Sequence, residues 1–297
     1  MACPSQFVAK WSSIVIFAYG DESMDETFQR VCAVAAIIGT ENQWKYLEDR
    51  WLERTKNIPF HANECDTDHG IYSSNPHEEN KALYRDLVTI LAESELKGYA
   101  AVIDLLGMAE VYPSPTIAHR MYFRGLLEVV EGMSMCAGKC GELAELTFDS
   151  RQESDHNAGL MYAHLRENNL NWKTRLAPKL SFNAKSKDEA NARLESADIF
   201  AREAMKDLDN KIGPNQRKTR LSWTALENTK RFALEIFDKK HFQGLEAEFD
   251  RSGGWYKQAL AGYPEWLRAK NKEDNLTNYF EYQNTRWSKV KAIKGGT

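Results

Sequence analysis

Several classes of protein are excluded by what this 297-residue chain does not contain. No apolar run approaches the roughly 20 residues that a membrane-spanning helix needs, so no membrane protein is expected. The start, Met-Ala-Cys-Pro-Ser-Gln, has no basic residue leading into an apolar stretch and a small-residue cleavage site. No signal peptide is therefore expected. Cysteine is scarce and odd in number: Cys3, Cys32, Cys65, Cys136 and Cys140. That count argues against a disulfide framework and for a reducing compartment, so a cytoplasmic protein is expected. No second Cys or His pair follows Cys136 and Cys140 at zinc-like spacing, which favours free thiols over a metal knuckle. There is no G-x-x-x-x-G-K-[ST] loop and no G-x-S-x-G elbow, which argues against a nucleoside triphosphatase and a serine hydrolase. Internal repeats and low-complexity tracts are also missing.

What is present is an ordinary globular composition, 42% hydrophobic and 28% charged. The charge is unevenly spread. Residues 1–210 hold 22 Lys/Arg against 33 Asp/Glu, a net −11, and residues 211–297 hold 17 against 10, a net +7. Such asymmetry suggests a polyanionic partner, or two parts that attract each other. Gly213-Pro214 is the best breaker between them. Beyond it the pattern is helical, basic and aromatic, with Trp223, Phe232, Phe237, Phe242, Phe249, Tyr263 and Trp266 among Lys and Arg. Those aromatics either stack bases or pack helices, and packing is the favoured reading. The expected organisation is one domain over 1–210 and a basic, aromatic-rich helical region over 211–297.

Within the first part, Ile14 to Ser23 begins as a continuous apolar run and ends in Gly20, Asp21, Glu22 and Ser23. Such a run reads as a strand buried on both faces, in a sheet covered by helices. Arg30 to Ile38 reads as a second strand, paired with the first as an antiparallel hairpin. Thr40 with Gln43 forms a capping-box pattern, and Trp44, Leu47, Trp51 and Leu52 follow at helical spacing. Ile58 to Phe60 is a short apolar piece, a candidate strand, leading into His61-Ala62-Asn63-Glu64. Glu78 to Leu96 reads as an amphipathic helix, stopped by Gly98. Tyr99 to Leu106 reads as a strand. A helix from Ser114-Pro115 to about Glu131 and a loop over Gly132 to Gly141 follow. Leu143 to Phe148 reads as a strand ending in Asp149-Ser150-Arg151. Ser154 caps a helix to about Asn168, Leu180 to Asn183 reads as a short strand, and Asp188 to Leu208 is the longest helical pattern. The order predicts an α/β layer fold with flanking helices.

Four carboxylates stand out. Asp21 and Asp149 each close an apolar strand, where α/β sheets place ligands. Glu64 follows the short apolar piece, with His61 three residues before it. Asp198 lies inside the stripe Leu194, Ala197, Ala201, Met205 and Leu208. An ionised Asp on a buried face is costly unless it is paired or binds a cation. It either meets a base such as Arg202 or Lys185 or joins the other acids. Clustered acids without bases are best explained by hard divalent cations such as Mg²⁺ or Mn²⁺.

Asp-Glu-Ser after the first strand, His-x-x-Glu after the next helix, Phe-Asp-x-Arg at a later strand end and Ser-Ala-Asp-Ile-Phe-Ala in a late helix occur in that order. Over roughly Ile14 to Leu208 this resembles the family catalogued as domain of unknown function 3800, which is similar to the ribonuclease H-like fold. Met24 stands where that family's opening motif continues with Gly, and Glu195 where its late helix carries Gln. The resemblance implies an RNase H-like mixed sheet with an antiparallel strand pair at the start, plus a mainly helical C-terminal appendage. It implies Asp21, Glu64, Asp149 and Asp198 as metal-binding, catalytic acids and Glu22, Ser23, His61 and Arg151 as supporting residues. Glu22 alternates with Asp21 and points to the opposite face of the strand. The implied activity is metal-dependent hydrolysis of nucleic acid by a two-metal mechanism, RNA or an RNA-containing hybrid being preferred. The alternatives are a non-catalytic nucleic-acid-binding protein, a small-molecule phosphoesterase, or an interaction module whose acids are structural.

Overall fold

The computed structural model describes residues 15–25, 30–111, 115–150, 155–184, 189–244 and 255–272. Cys3, Ser114, Arg151, Ser154, Lys185, Asp188 and Phe249 lie outside the described residues. One sheet of six strands runs in the order β5-β4-β1-β2-β3-β6. Strands β1 (Val15–Met24), β2 (Val31–Gly39) and β3 (Lys97–Asp104) form an antiparallel meander. Strand β4 (Leu143–Asp149) pairs parallel with β1, and β5 (Leu176–Asn183) pairs parallel with β4. Strand β6 (Phe232–Phe237) extends the other edge, parallel to β3.

Every residue of β2 is buried, as a strand covered on both faces requires. Cys32, Val34, Ala36 and Ile38 pack in one core with α5 (Pro115–Cys140), α6 (Asp155–Asn168) and α7 (Leu170–Arg175). Val31, Ala33, Ala35 and Ile37 pack in a second with α1 (Glu41–Thr55), α3 (His77–Glu93), α8 (Ala192–Ile212) and α9 (Leu221–Asn228). The result is an α/β architecture, a mixed sheet between two helical layers, as expected of an RNase H-like reading of the sequence. Two short helices, α2 (Ala62–Asp66) and α4 (Leu105–Val111), and a C-terminal α10 (Trp255–Ala269) complete the elements used below. No described helix is long and apolar enough to cross a membrane.

Local patterns hold where they are strong. The capping box of Thr40 and Gln43 forms, and Trp44, Leu47 and Trp51 are buried. Four expectations are corrected. Ile58 to Phe60 makes no strand. Phe60 instead meets Trp51, Tyr72 and Tyr84 in an aromatic cluster, and the chain turns into α2. Gly98 is no helix stop: α3 ends at Glu93, and Gly98 lies in β3, where a Cβ would fall 2.5 Å from the Phe232 ring. Gly132 to Gly141 is not a loop, because α5 continues to Cys140. Its glycines allow close approach, Gly132 to the Tyr99 ring and Gly138 to Arg175. The long helix begins at Ala192, not Asp188, where the Asn191 side chain accepts the Leu194 N–H.

The sheet also runs past the boundary expected at residue 210. Trp223 and Leu226 of α9 and Phe232 of β6 belong to the same core as α8. Phe237, Phe242 and Tyr263 are likewise buried. The described aromatics of the basic region therefore pack the fold.

Candidate functional site

The site begins where β1 leaves the core. Gly20 sits under the Phe148 ring, and a Cβ there would fall 2.2 Å from a ring carbon. Only glycine lets β1 and β4 run side by side at this point. Asp21 follows, 6% exposed, with Oδ1 accepting the Glu22 N–H at 2.7 Å. Side chains alternate along a strand, so Asp21 shares the face of Phe17 and Tyr19, which pack on the α8 side. Glu22 takes the opposite face, as expected. Ser23 shares the Asp21 face and is partly exposed.

Asp149 stands beside Asp21. The parallel register pairs Gly20 with Phe148, and both aspartates come next on their strands. Phe148 belongs to the core on the α5 side, so alternation turns Asp149 to the Asp21 face. Asp149 also pairs with Asn183 at the end of β5. Two carboxylates thus share one face of neighbouring parallel strands; Asp149 ends β4, whereas Asp21 does not close its strand as expected, because β1 stays paired with β2 as far as Met24.

Helix α8 covers that face and runs along β1. Near its start the Arg193 guanidinium donates to the Tyr19 hydroxyl at 3.1 Å, and near its end Asp209 accepts from Arg30, beyond the hairpin turn, at 2.7 Å. Asp198 lies five residues past Arg193, about 7.5 Å at helical rise. Asp21 lies two residues past Tyr19, about 6.6 Å at strand rise.

Asp198 is 5% exposed, and its Oδ2 accepts the Ala62 N–H at 3.1 Å and lies 3.2 Å from His61 Nδ1. His61 precedes α2 without a side-chain cap of its own. Asp198 satisfies one of the N–H groups that a helix start leaves open, reaching it from across the structure. The His61 ring is 55% exposed. Arg202 is not the partner of Asp198, since it turns to Asp66. Glu64, on the first turn of α2, lies against Gly70, where a Cβ would fall 2.1 Å from its Oε2. Glu195 is buried and binds both the Trp51 indole N–H, at 2.7 Å, and the Asn191 N–H, at 2.8 Å.

The oxygen donors are of the kind that hard divalent cations take. Asp21 with Asp149 is the pair that shares one face of the sheet, and Asp198 lies on the helix that packs over that face. Among the described residues, no group of three or more His, Cys, Asp or Glu is gathered tightly enough to hold a metal ion. The donor type fits such an ion, whereas a closed cluster of the four acids is not formed.

A polar network behind α2 has no local signature in the sequence. Asp66 accepts two hydrogen bonds from Arg202, at 2.9 and 2.6 Å, and two from Arg220, at 2.9 and 2.7 Å. Arg220 also reaches Glu203 at 3.0 Å. Glu203, fully buried, accepts from the hydroxyls of Tyr84 and Ser222. Burial alone would raise the Asp66 carboxyl. The hydrogen bonds and charges of Arg220 and Arg202 outweigh it and hold the group down to about 2. Burial pushes Glu203 up, with Arg220, Tyr84 and Ser222 opposing. The network ties the segment after Gly213 to the helix that carries Glu64.

An α/β protein with a mixed six-stranded sheet between helical layers is thus the class that this fold defines. The chain is similar in structure to a chain in the PCNA:RNase HII complex from Archaeoglobus fulgidus, at 12% identity and a TM-score of 0.36. The similarity covers 72% of this chain and 87% of that one. No family model matches the chain, and no curated protein matches it.

Proposed function

We propose that this chain is a metal-dependent nuclease that hydrolyses phosphodiester bonds of nucleic acid, with RNA or an RNA-containing hybrid preferred. The observation that carries this reading is the pair Asp21 and Asp149, on one face of adjacent parallel strands, Asp149 at the end of β4 and Asp21 three residues before the end of β1. Two like charges so placed repel, and a divalent cation relieves that repulsion. The motif order that resembles the domain of unknown function 3800 family supports the same assignment. Asp21 and Asp149 would hold Mg²⁺ or Mn²⁺, with Asp198 and Glu64 as further acids. A bound cation of this kind polarises phosphoryl oxygens and acidifies bound water.

The chain's own groups do the rest. Asp198 fixes the His61 ring through Nδ1, and imidazole is suited to moving protons near neutral pH. The Ala62 N–H holds Asp198 in place. Ser23 stands on the face where a phosphate would lie. The basic residues of 211–297 neutralise backbone phosphates, while catalysis belongs to 1–210. The four described cysteines are unbridged, which supports a place in the reducing cytoplasm.

The test is cleavage of labelled RNA, DNA and hybrid duplexes with Mg²⁺ or Mn²⁺. Asp21→Asn is expected to lower cleavage by at least about 10³-fold, the scale of metal-supplied stabilisation, with the circular dichroism spectrum unchanged. Full cleavage by that variant, or by the wild type in EDTA, would refute the reading.

A further inference from the structure

A cleft of about 710 Å³ opens between the end of α1, the 3-10 turn at Gly70–Tyr72 and the start of α3. We propose that it binds a nucleotide, with the base inside the cleft and the phosphate at its rim. The volume suits a molecule of nucleotide size and exceeds what a lone ion needs. Ile58 and Ile71 both line it, and they are 52% and 57% exposed. Large aliphatic side chains kept in water at a cleft are offered to an apolar or aromatic face.

The wall also carries an unmet polar group. Thr55 is 7% exposed, and its Oγ1 is buried with no hydrogen-bond partner. Buried hydroxyls are nearly always satisfied, but this oxygen is shut off from solvent, so the ligand contacts of the cleft come from its other wall residues. Close by, Asn80 donates to Asp68 and to the Tyr72 carbonyl, and its Oδ1 accepts from the Asn75 amide at 3.1 Å. That chain of bonds sets the orientation of Asn75, another residue of the wall. A fixed amide offers the donor and acceptor with which asparagine reads base edges.

The rim carries Lys56 and Arg54, the latter paired with Asp86 at 2.9 Å, against Glu79. Lys56 is held there in a left-handed conformation, φ 56°, and Asn57 follows it at φ 60°. Two consecutive non-glycine residues in that region mark a backbone kept in place by its surroundings. The site is distinct from the carboxylates and rests on none of them. The wall residue Tyr72 still touches them indirectly, since its hydroxyl lies against the His61 backbone and its ring meets Phe60 at 6.1 Å.

The experiment is calorimetric titration of the full chain with AMP, UMP, adenosine and inorganic phosphate, all in EDTA. AMP or UMP is expected to bind more tightly than adenosine or phosphate alone. Ile71→Asp and Asn75→Ala, both at exposed side chains, are each expected to weaken nucleotide binding by about tenfold or more, the scale of one well-made base contact. Asp21→Asn is expected to bind as the wild type does. The proposal is overturned if neither nucleotide binds the folded protein at millimolar concentration. It is also overturned if both cleft variants bind undiminished, or if phosphate alone binds as tightly as AMP. Because no metal is present, loss of the nuclease reading leaves these outcomes unchanged.

Discussion

Asp66→Asn keeps the shape of the side chain and removes the charge on which two guanidinium groups converge. Arg202 is 2% exposed and commits two hydrogen bonds to that carboxylate, as does Arg220. The group is held at about 2, against an ordinary 3.8. Each unit is worth about 1.4 kcal/mol, so ionised Asp66 contributes about 2.5 kcal/mol to stability at neutral pH. A depressed carboxyl contributes fully above its unfolded value and loses that contribution as pH falls through its folded value. The advantage of the wild type over the variant should therefore hold down to about pH 5. It should fall to about half near pH 3, and be gone below about pH 2. Glu203, shifted the opposite way, is present in both proteins and largely cancels in the difference. Urea unfolding followed by tryptophan fluorescence, at steps from pH 7 to pH 3, measures that difference directly. A gap below about 0.5 kcal/mol at pH 7, the scale of an exposed ion pair, would show that the network is solvated. A gap that stays flat down to pH 3 would show that Asp66 titrates normally.

Two further outcomes follow from the packing. Gly20→Ala places a methyl 2.2 Å from the Phe148 ring and should cost about 1–3 kcal/mol as overpacking, read from the thermal midpoint; an unchanged midpoint would mean that β1 and β4 are not in contact there. Burial pushes the Cys65 thiol up to about 12, so at pH 8 iodoacetamide followed by mass spectrometry should show exposed Cys140 alkylated well before Cys65; equal labelling would contradict a closed core around α2.

The sheet was readable because its strands announce themselves locally. Val15 to Gly20 and Val31 to Gly39 are apolar runs bounded by turns, and such runs depend on no distant partner. The features that escaped reading depend on one. Gly98, Gly132 and Gly138 look like breakers in sequence, yet each makes room for a side chain remote in the chain: Phe232, Tyr99 and Arg175. Strand β6 is short and has exposed positions, so it resembles the basic helical stretch around it until β3 supplies its hydrogen bonds.

The acids divide along the same line. Asp21 and Asp149 were legible because an acid that follows an apolar run is a local event, and parallel pairing then makes neighbours of them. Asp198 was legible as an anomaly, a charge inside an apolar stripe. Its partners were not, because the Ala62 N–H and His61 stand 136 and 137 residues earlier. Those contacts carry a consequence for the proposed chemistry. Asp198 already caps α2, so any cation that drew it toward Asp21 would have to compete with the helix end for the same carboxylate. Movement of α2, which Asp66 pins through Arg202 and Arg220, is then coupled to how tightly the acids can close. On the proposed reading, the Asp66 network would add to the resistance to that closure, because it holds the helix that Asp198 caps.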